Sequence, residues 1–299
     1  MQILNIAREC REFFRKSSIE CSDNNIMYVN WQKCDWFEKF IRYHFPNKHE
    51  YNILFTGVDN NRVDLRQYSN YKKIFFSGEN LEPRVKHYLC KEQRSQGIYW
   101  WLQRRYELYN DYRVNDVDLS LGYKKSESNN YLHFPLWITY LIPPNIEMNK
   151  VKGIINELNT VKSLSIREAT CISRHDCFGI RSKICDDVSK VVRIDYPGMW
   201  RHNIDDLWLD YNNNKIEYLN LYKFNICPEN MNAKDYCTEK VFDALKSGCI
   251  PIYFGCLGNP EPDVLNENFI INWDMDDTFN NIKLLKRLNE DDDFYEKFM

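Results

Sequence analysis

Short runs of β-branched and aromatic residues alternate with amphipathic segments along most of the chain, and this alternation restricts the fold more than any other feature. "IMYVNW" (26–31), "YNILFTG" (51–57) and "KKIFFSGEN" (72–80) have the length and composition of strands, each closing in a polar or glycine-containing turn. "VDLSLG" (117–122) is a further short strand candidate. Between the first two runs lies "WQKCDWFEKFIRYHF" (31–45), with apolar or aromatic side chains at 36, 37, 40, 41 and 45, a helical period. Strands interleaved with helices predict an α/β protein with a largely parallel sheet.

The pattern breaks at "LIPPNIEMNK" (141–150), where two prolines sit in a polar setting. It restarts with the helical "VKGIINELNTVKSL" and the strand "EATCISRH" (168–175). "GIRSKICDDVSKVVRID" (179–195) carries apolar residues at 180, 184, 188, 191 and 192 and reads as a helix leading into a strand. "YKFNICPEN", a helix near 238–247 and "CIPIYFG" (249–255) continue the series, with Pro251 limiting pairing at the start of its strand. The 299 residues suffice for two domains, expected at 1–148 and 149–299. The acidic run "NEDDDF" (289–294) reads as a solvated helix start or a loop.

Composition excludes several classes. A net charge of −3 gives no electrostatic case for nucleic acid. The eleven cysteines include no CxxC spacing, and Cys171 and Cys177, which bracket His175, lack a second ligand pair, so buried thiols in a reducing compartment are expected instead of a metal site. No window approaches the ~20 apolar residues of a membrane span. The N-terminus alternates charged and apolar residues too densely for a secretory signal, and no Asn-x-Ser/Thr sequon occurs. The expectation is a cytoplasmic protein, or the soluble part of something longer, with the Golgi lumen disfavoured. Richness in Asn, Lys and Ile suits an AT-rich genome, bacterial or viral.

The chemistry concentrates in residues 225–255, "NICPENMNAKDYCTEKVFDALKSGCIPIYFG". Val241, Phe242 and Leu245 form the buried stripe of a helix that Gly248 ends, with Asp235 or Thr238 as its N-cap. Tyr236, Glu239 and Lys240 therefore stand at the helix start, where unpaired N–H groups and partial positive charge favour an anion. A sugar nucleotide would meet both needs: a diphosphate for Lys240 and a ribose hydroxyl for Glu239. From the residues alone, a Glu–Lys pair on a solvated first turn is the plainer reading. In the other half, "FFSGENLEP" puts Glu79 and Glu82 after an apolar strand, where either could serve as a base or a cap. Gly78 there would allow the backbone to approach a substrate closely.

"YKFNICPENMNAKDYCTEKVFDALKSGCIPIYFG" resembles the donor-binding motif of the α-1,3/1,4-fucosyltransferases, Y-K-F-x-(L/I)-x-x-E-N-x, then D-Y-x-T-E-K-x-x-(D/N)-A, then P-(I/V) and a closing glycine. "IFFSGENLEP", "DLSLGYKKSESNNYLHFPLW" and "GIRSKICDDVSKVVRID" extend the likeness more thinly. The resemblance implies the GT-B architecture, two facing Rossmann-like domains with a cleft between them. The N-terminal one would be the acceptor side and the C-terminal one the GDP-sugar side. Residue by residue, Glu79 matches the general base. Glu82 competes for that role, because the turn here is one residue longer than in the family. Arg181 and Lys240 match the cations on the donor diphosphate, Glu239 the ribose carboxylate, and Asn230 and Tyr236 other residues of the nucleotide site. The N-terminal half, where acceptors are recognised, departs furthest.

The implied reaction is inverting transfer of L-fucose from GDP-β-L-fucose to a hydroxyl of a Gal/GlcNAc-containing glycan, giving an α-1,3 or α-1,4 linkage. The two cations would stand in for a divalent metal, so no cofactor is required, and Mn2+ enters only as a stimulant of GDP release. "DVD" (116–118) and "DMD" (274–276) fit the short metal-binding pattern of other transferases, but such triplets arise by chance in an Asp-rich chain. The alternatives are the same fold with another GDP-hexose donor, or a non-catalytic nucleotide-sugar-binding relative.

Overall fold

The computed structural model describes residues 20–22, 25–31, 35–45, 52–81, 96–158, 166–176 and 178–298, with side chains of 20–22 and 96–102 left aside. Two compact units emerge: among the described residues the first holds those up to 81 with 96–139 and 143–146, and the second holds 140–142 and those from 147 onward.

The first unit is built on a six-stranded sheet. Its strands are β1 (Glu20–Ser22), β2 (Ile26–Val29), β3 (Asn52–Thr56), β4 (Tyr71–Ser77), β5 (Leu119–Gly122) and β6 (Tyr131–His133), and their spatial order equals their chain order. Only β1 runs antiparallel to its neighbour. Side chains two apart share a face, so Ile26, Tyr28, Phe55, Phe76 and Leu121 form one apolar surface. Helix α1 (Asp35–His44) covers it with Phe37, whose ring lies 5.6 Å from Phe55 and 5.2 Å from Phe76. On the opposite face Phe75 stacks on Tyr109, the last residue of α2 (Gln96–Tyr109), at 5.9 Å. Strand β4 is thus buried on both sides, which accounts for its unbroken "IFF".

The second unit holds β7 (Arg167–Thr170), β8 (Ile194–Asp195), β9 (Tyr222–Ile226), β10 (Ile250–Tyr253) and β11 (Ile271–Asn272), all parallel, in the order β11-β10-β9-β7-β8. The chain begins at β7, winds outward to β8, then returns past β7 to add β9, β10 and β11. This is a doubly wound sheet with its switch of direction between β7 and β9. Helices α3 (Val151–Leu158), α4 (Ile180–Val188), α5 (Glu239–Ser247) and α6 (Thr278–Glu290) belong to this unit. Phe224, Ile250 and Ile252, all 0% exposed, form its core with Ile184 and Val188 of α4 and Leu285 and Leu288 of α6.

Local chemistry explains the element ends. Gly248 closes α5 at φ 80°, a left-handed conformation suited to glycine. Pro251 pairs with Asn225 of β9, while the ladder to β11 starts only at Ile252, so the residue without an N–H precedes the second set of bonds. The acidic run spans the end of α6 and the start of a final helix at Asp292, whose first turn holds Asp292 and Asp293. Strands β1, β6 and β11 and helices α2 and α6 were not anticipated: these strands are only two or three residues long, and Asn and Lys dilute the apolar stripe of α6. Among the described residues no helix is long and apolar enough to cross a membrane. The six cysteines whose side chains are described as free, Cys171, Cys185, Cys227, Cys237, Cys249 and Cys256, are all buried.

Candidate active site

In a doubly wound sheet the carboxyl ends of the two strands at the switch point leave an opening that no crossover fills. Here those strands are β7 and β9. The loop after β7 leads into α4 and the loop after β9 into α5, so the two helix starts stand on either side of the switch.

Helix α4 begins after Gly179, which is left-handed at φ 71°, and buries Ile180, Ile184, Cys185 and Val188 against the sheet. Asp176, 5% exposed, caps it, accepting from the N–H of Arg181 at 3.2 Å and from the N–H and hydroxyl of Ser182, each at 2.7 Å. Arg181 itself is 8% exposed. Its guanidinium donates to the carbonyl of His175 at 3.0 Å and across the switch point to Asn230 Oδ1 at 2.9 Å. Gly198 keeps the β7 loop in place, since a Cβ there would stand 2.3 Å from the Ser173 carbonyl oxygen.

At the start of α5 the organising group is Glu229, 0% exposed. Its carboxylate accepts from the Thr238 N–H at 2.7 Å, from the Thr238 hydroxyl at 2.8 and 2.9 Å, from Lys240 Nζ at 2.5 Å and from the Tyr253 hydroxyl at 3.4 Å. Its own N–H donates to the Phe254 carbonyl at 2.7 Å, which ties the loop to the end of β10. Gly255 leaves the space the carboxylate needs: a Cβ there would come within 2.7 Å of Glu229 Cγ. Two consecutive residues therefore hold one cation each, Glu229 the ammonium of Lys240 and Asn230 the guanidinium of Arg181.

This arrangement corrects the expected helix end. Thr238, not Asp235, occupies the N-cap position, but its hydroxyl bonds Glu229 instead of the first turn, and its N–H is already taken by the same carboxylate. Nor does Lys240 form a solvated pair with Glu239: its partner is buried and its own side chain is 20% exposed. Burial works against the ammonium, and the carboxylates of Glu229 and Glu239 outweigh it, holding Lys240 above the ordinary lysine range. Among the described residues Lys240 spends donors on Glu229 and Thr238, and an ammonium has three. His175 is pushed below the ordinary histidine range by burial and by Arg181 and Arg174, so its imidazole is neutral at pH 7. Tyr236 is buried at 2% exposure, and Glu239 is half-buried as the first residue of α5.

Glu79 belongs to the first unit. It sits exposed two residues past the end of β4, where its N–H meets the Ser77 hydroxyl at 3.3 Å and that hydroxyl donates to its carbonyl at 3.1 Å. Its carboxylate acts on Arg105, which burial lowers to about 10 against the opposing pull of Glu79. The space beside Gly78 is filled by Leu136, whose Cδ1 lies 2.7 Å from where a Cβ would be, so this glycine serves packing within the unit and not close approach of a substrate. Glu82 lies outside the described residues, as does Cys177. In the Asp-x-Asp triplets, Asp116 pairs with Arg62 and Arg113, Asp118 accepts from the Lys73 N–H at 2.8 Å, and Asp274 accepts from the Asp276 N–H at 2.8 Å.

The roles of Asp176, Thr238 and the Glu229 carboxylate were not legible beforehand. Asp176 stands three residues before Gly179, outside the usual capping spacing, and Glu229 follows a proline at a strand end, where a solvated carboxylate is equally at home.

Comparison with known proteins bears on this site. A family model described as glycosyltransferase family 10 (fucosyltransferase), C-terminal part, matches residues 163–299. The chain is 28% identical over 216 residues to an alpha-(1,3)-fucosyltransferase of Helicobacter pylori, covering 70% of this chain and 42% of that protein. It is 32% identical over 142 residues to alpha-(1,3)-fucosyltransferase B of Drosophila melanogaster, covering 44% of this chain and 32% of the relative. The chain thus spans less than half the length of these two relatives. A crystal structure of alpha1,3-fucosyltransferase with GDP-fucose aligns over 94% of this chain and 84% of its own, with a TM-score of 0.55 at 22% identity. At that identity the likeness establishes the fold, the α/β class of GT-B type expected from the sequence.

Proposed function

We propose that this chain, whose residues 163–299 match the model of glycosyltransferase family 10 (fucosyltransferase), transfers L-fucose from GDP-β-L-fucose to a glycan hydroxyl. The transfer proceeds with inversion and forms an α-1,3 or α-1,4 linkage. The observation that supports this reading most is the pair of cations at the switch point, each held by one of two consecutive residues, Arg181 by Asn230 and Lys240 by Glu229.

In this reading the GDP diphosphate lies against Arg181 and Lys240. As the bond from fucose to phosphate breaks, negative charge grows on the departing GDP, and two cations fixed beforehand stabilise it without proton transfer, each worth roughly 3 kcal/mol. Glu239, an acceptor at the helix start, takes a ribose hydroxyl. Asn230 and Tyr236 shape the nucleotide site, Asn230 by orienting Arg181 and Tyr236 from within the loop. Glu79 removes the proton of the acceptor hydroxyl, a contribution of about 10²–10⁴ in rate; Glu82 is its rival. The acceptor is a Gal/GlcNAc-containing glycan. The domains run 1–148 on the acceptor side and 149–299 on the donor side, and buried thiols suit a reducing, cytoplasmic setting.

Incubation with a panel of GDP- and UDP-sugars and glycan acceptors, scored for nucleotide release and product, tests the reading. GDP-fucose should support turnover well above every other donor. Calorimetry with no preference for GDP-fucose over UDP-galactose would overturn it.

A further inference from the structure

We propose that Glu229 is a positioning residue, a buried carboxylate that acts through Lys240 by holding its ammonium at the start of α5. The inference rests on the reading of Lys240 as a cation for the donor diphosphate. At 0% exposure Glu229 cannot reach a substrate, and its carboxylate oxygens are occupied by Thr238, Lys240 and Tyr253. Whatever it contributes to the reaction therefore passes through those partners.

The geometry favours Lys240 as that route. A lysine side chain is long and flexible, and a compact ammonium on four carbons has no preferred direction of its own. Here two partners fix it, Glu229 at 2.5 Å and the Thr238 hydroxyl at 2.9 Å, and Thr238 is itself bonded to Glu229. Glu229 in turn is anchored to the sheet by its bond to the Phe254 carbonyl, and Gly255 leaves the gap it fills. The ammonium is thus referenced to the rigid end of β10 and not to the mobile end of its own side chain.

Charge follows from position. The charged and titratable groups that bear on Lys240 are Glu229 and Cys227 from the end of β9, Glu239 on its own helix, Arg181 from α4 and His175 from the β7 loop. Tyr253 and Cys237 bear on Glu229 from β10 and the β9 loop. Burial and Arg181 press Lys240 toward the neutral amine, and among the described residues only Glu229 opposes them from hydrogen-bond distance. Without that carboxylate Glu239 alone would resist, and the ammonium would deprotonate at lower pH.

The test compares wild type with Glu229→Gln and Glu229→Asp. Glutamine keeps the shape and an acceptor for Thr238 but removes the charge; aspartate keeps the charge but withdraws it by one methylene. Glu229→Gln should lower kcat at least tenfold with a smaller change in KM for GDP-fucose, and should move the alkaline limb of the kcat profile down by at least one pH unit. Glu229→Asp should recover part of both. A second readout needs no donor: acylation of Lys240 by acetic anhydride, followed by mass spectrometry against pH, should begin at lower pH in Glu229→Gln. An unchanged alkaline limb and unchanged acylation in a folded Glu229→Gln variant overturn the proposal. If that variant does not fold, a folded Glu229→Asp with wild-type kcat overturns it, and one with reduced kcat and a shifted alkaline limb supports it. Should wild type use no GDP-sugar while acylation still shifts, the functional reading falls and the Glu229–Lys240 tie stands.

Discussion

The two units are both α/β, yet their sheets are wound differently. In the first, strands β1 to β6 lie side by side in chain order, so no pair of neighbours marks a reversal among the described residues. In the second, β9 joins the sheet on the far side of β7 from β8, and the reversal leaves an opening between two strand ends. The polar groups follow the winding. Around the switch point Asp176, Arg181, Glu229, Asn230, Thr238 and Lys240 interlock. At the end of β4 in the first unit, Glu79 is exposed on a short turn. In the second unit the reversal brings charged groups from distant segments to two strand ends; the first unit also joins distant charges, Arg62 with Asp111 and Asp116, but leaves Glu79 exposed on its turn.

If the units divide the chemistry, their variants should fail in different ways. The largest effect should come from Glu79→Gln, a fall in fucose transfer of about 10³ with GDP-fucose affinity by calorimetry within twofold of wild type. Glu82→Gln should reduce transfer only modestly; the reverse ranking would move the base to Glu82, and loss of donor binding with Glu79→Gln would break the division itself. Arg181→Ala should cut turnover about 10²-fold and weaken GDP binding as well, with the melting curve retained. Near-wild-type turnover in that variant would remove Arg181 from the donor site.

Two glycines sharpen the comparison through stability. Gly198→Ala drives a Cβ to within 2.3 Å of backbone oxygen, which cannot move aside, and should destabilise the second unit by ~3 kcal/mol in urea unfolding. Gly78→Ala meets the Leu136 side chain, whose Cδ1 at 2.7 Å can turn away while its Cβ and Cγ at 3.1 Å need give only a few tenths of an ångström, and should cost ~1 kcal/mol. Equal losses would show that both neighbours yield alike. The smallest change is expected on chelation: EDTA should leave transfer within about twofold, because charge stabilisation by fixed cations needs no ion. Complete loss restored by Mn2+ would return attention to Asp116, Asp118, Asp274 and Asp276.

Much of the molecule was legible in advance, for reasons that are local. Strands β2, β3, β4, β5, β7, β9 and β10 announce themselves because apolar runs of that length fit a pleated, buried surface. Helices α1, α4 and α5 show their period because one face of each packs on a sheet. Arg181, Asn230, Glu239 and Lys240 were singled out from a motif, and their residue types alone suggest an anion and a hydroxylated sugar. What only the tertiary structure decided is which charge answers which. The carboxylate of Glu229 is eleven residues from Lys240 and meets it at 2.5 Å; Arg181 is 49 residues from Asn230 and meets it at 2.9 Å. Such pairings depend on the order of β7 and β9 in the sheet and on the room beside Gly255, neither of which any local pattern encodes. Burial then turns an ordinary glutamate into the group on which a lysine's position depends, because a charge removed from water is held by the partners the fold supplies.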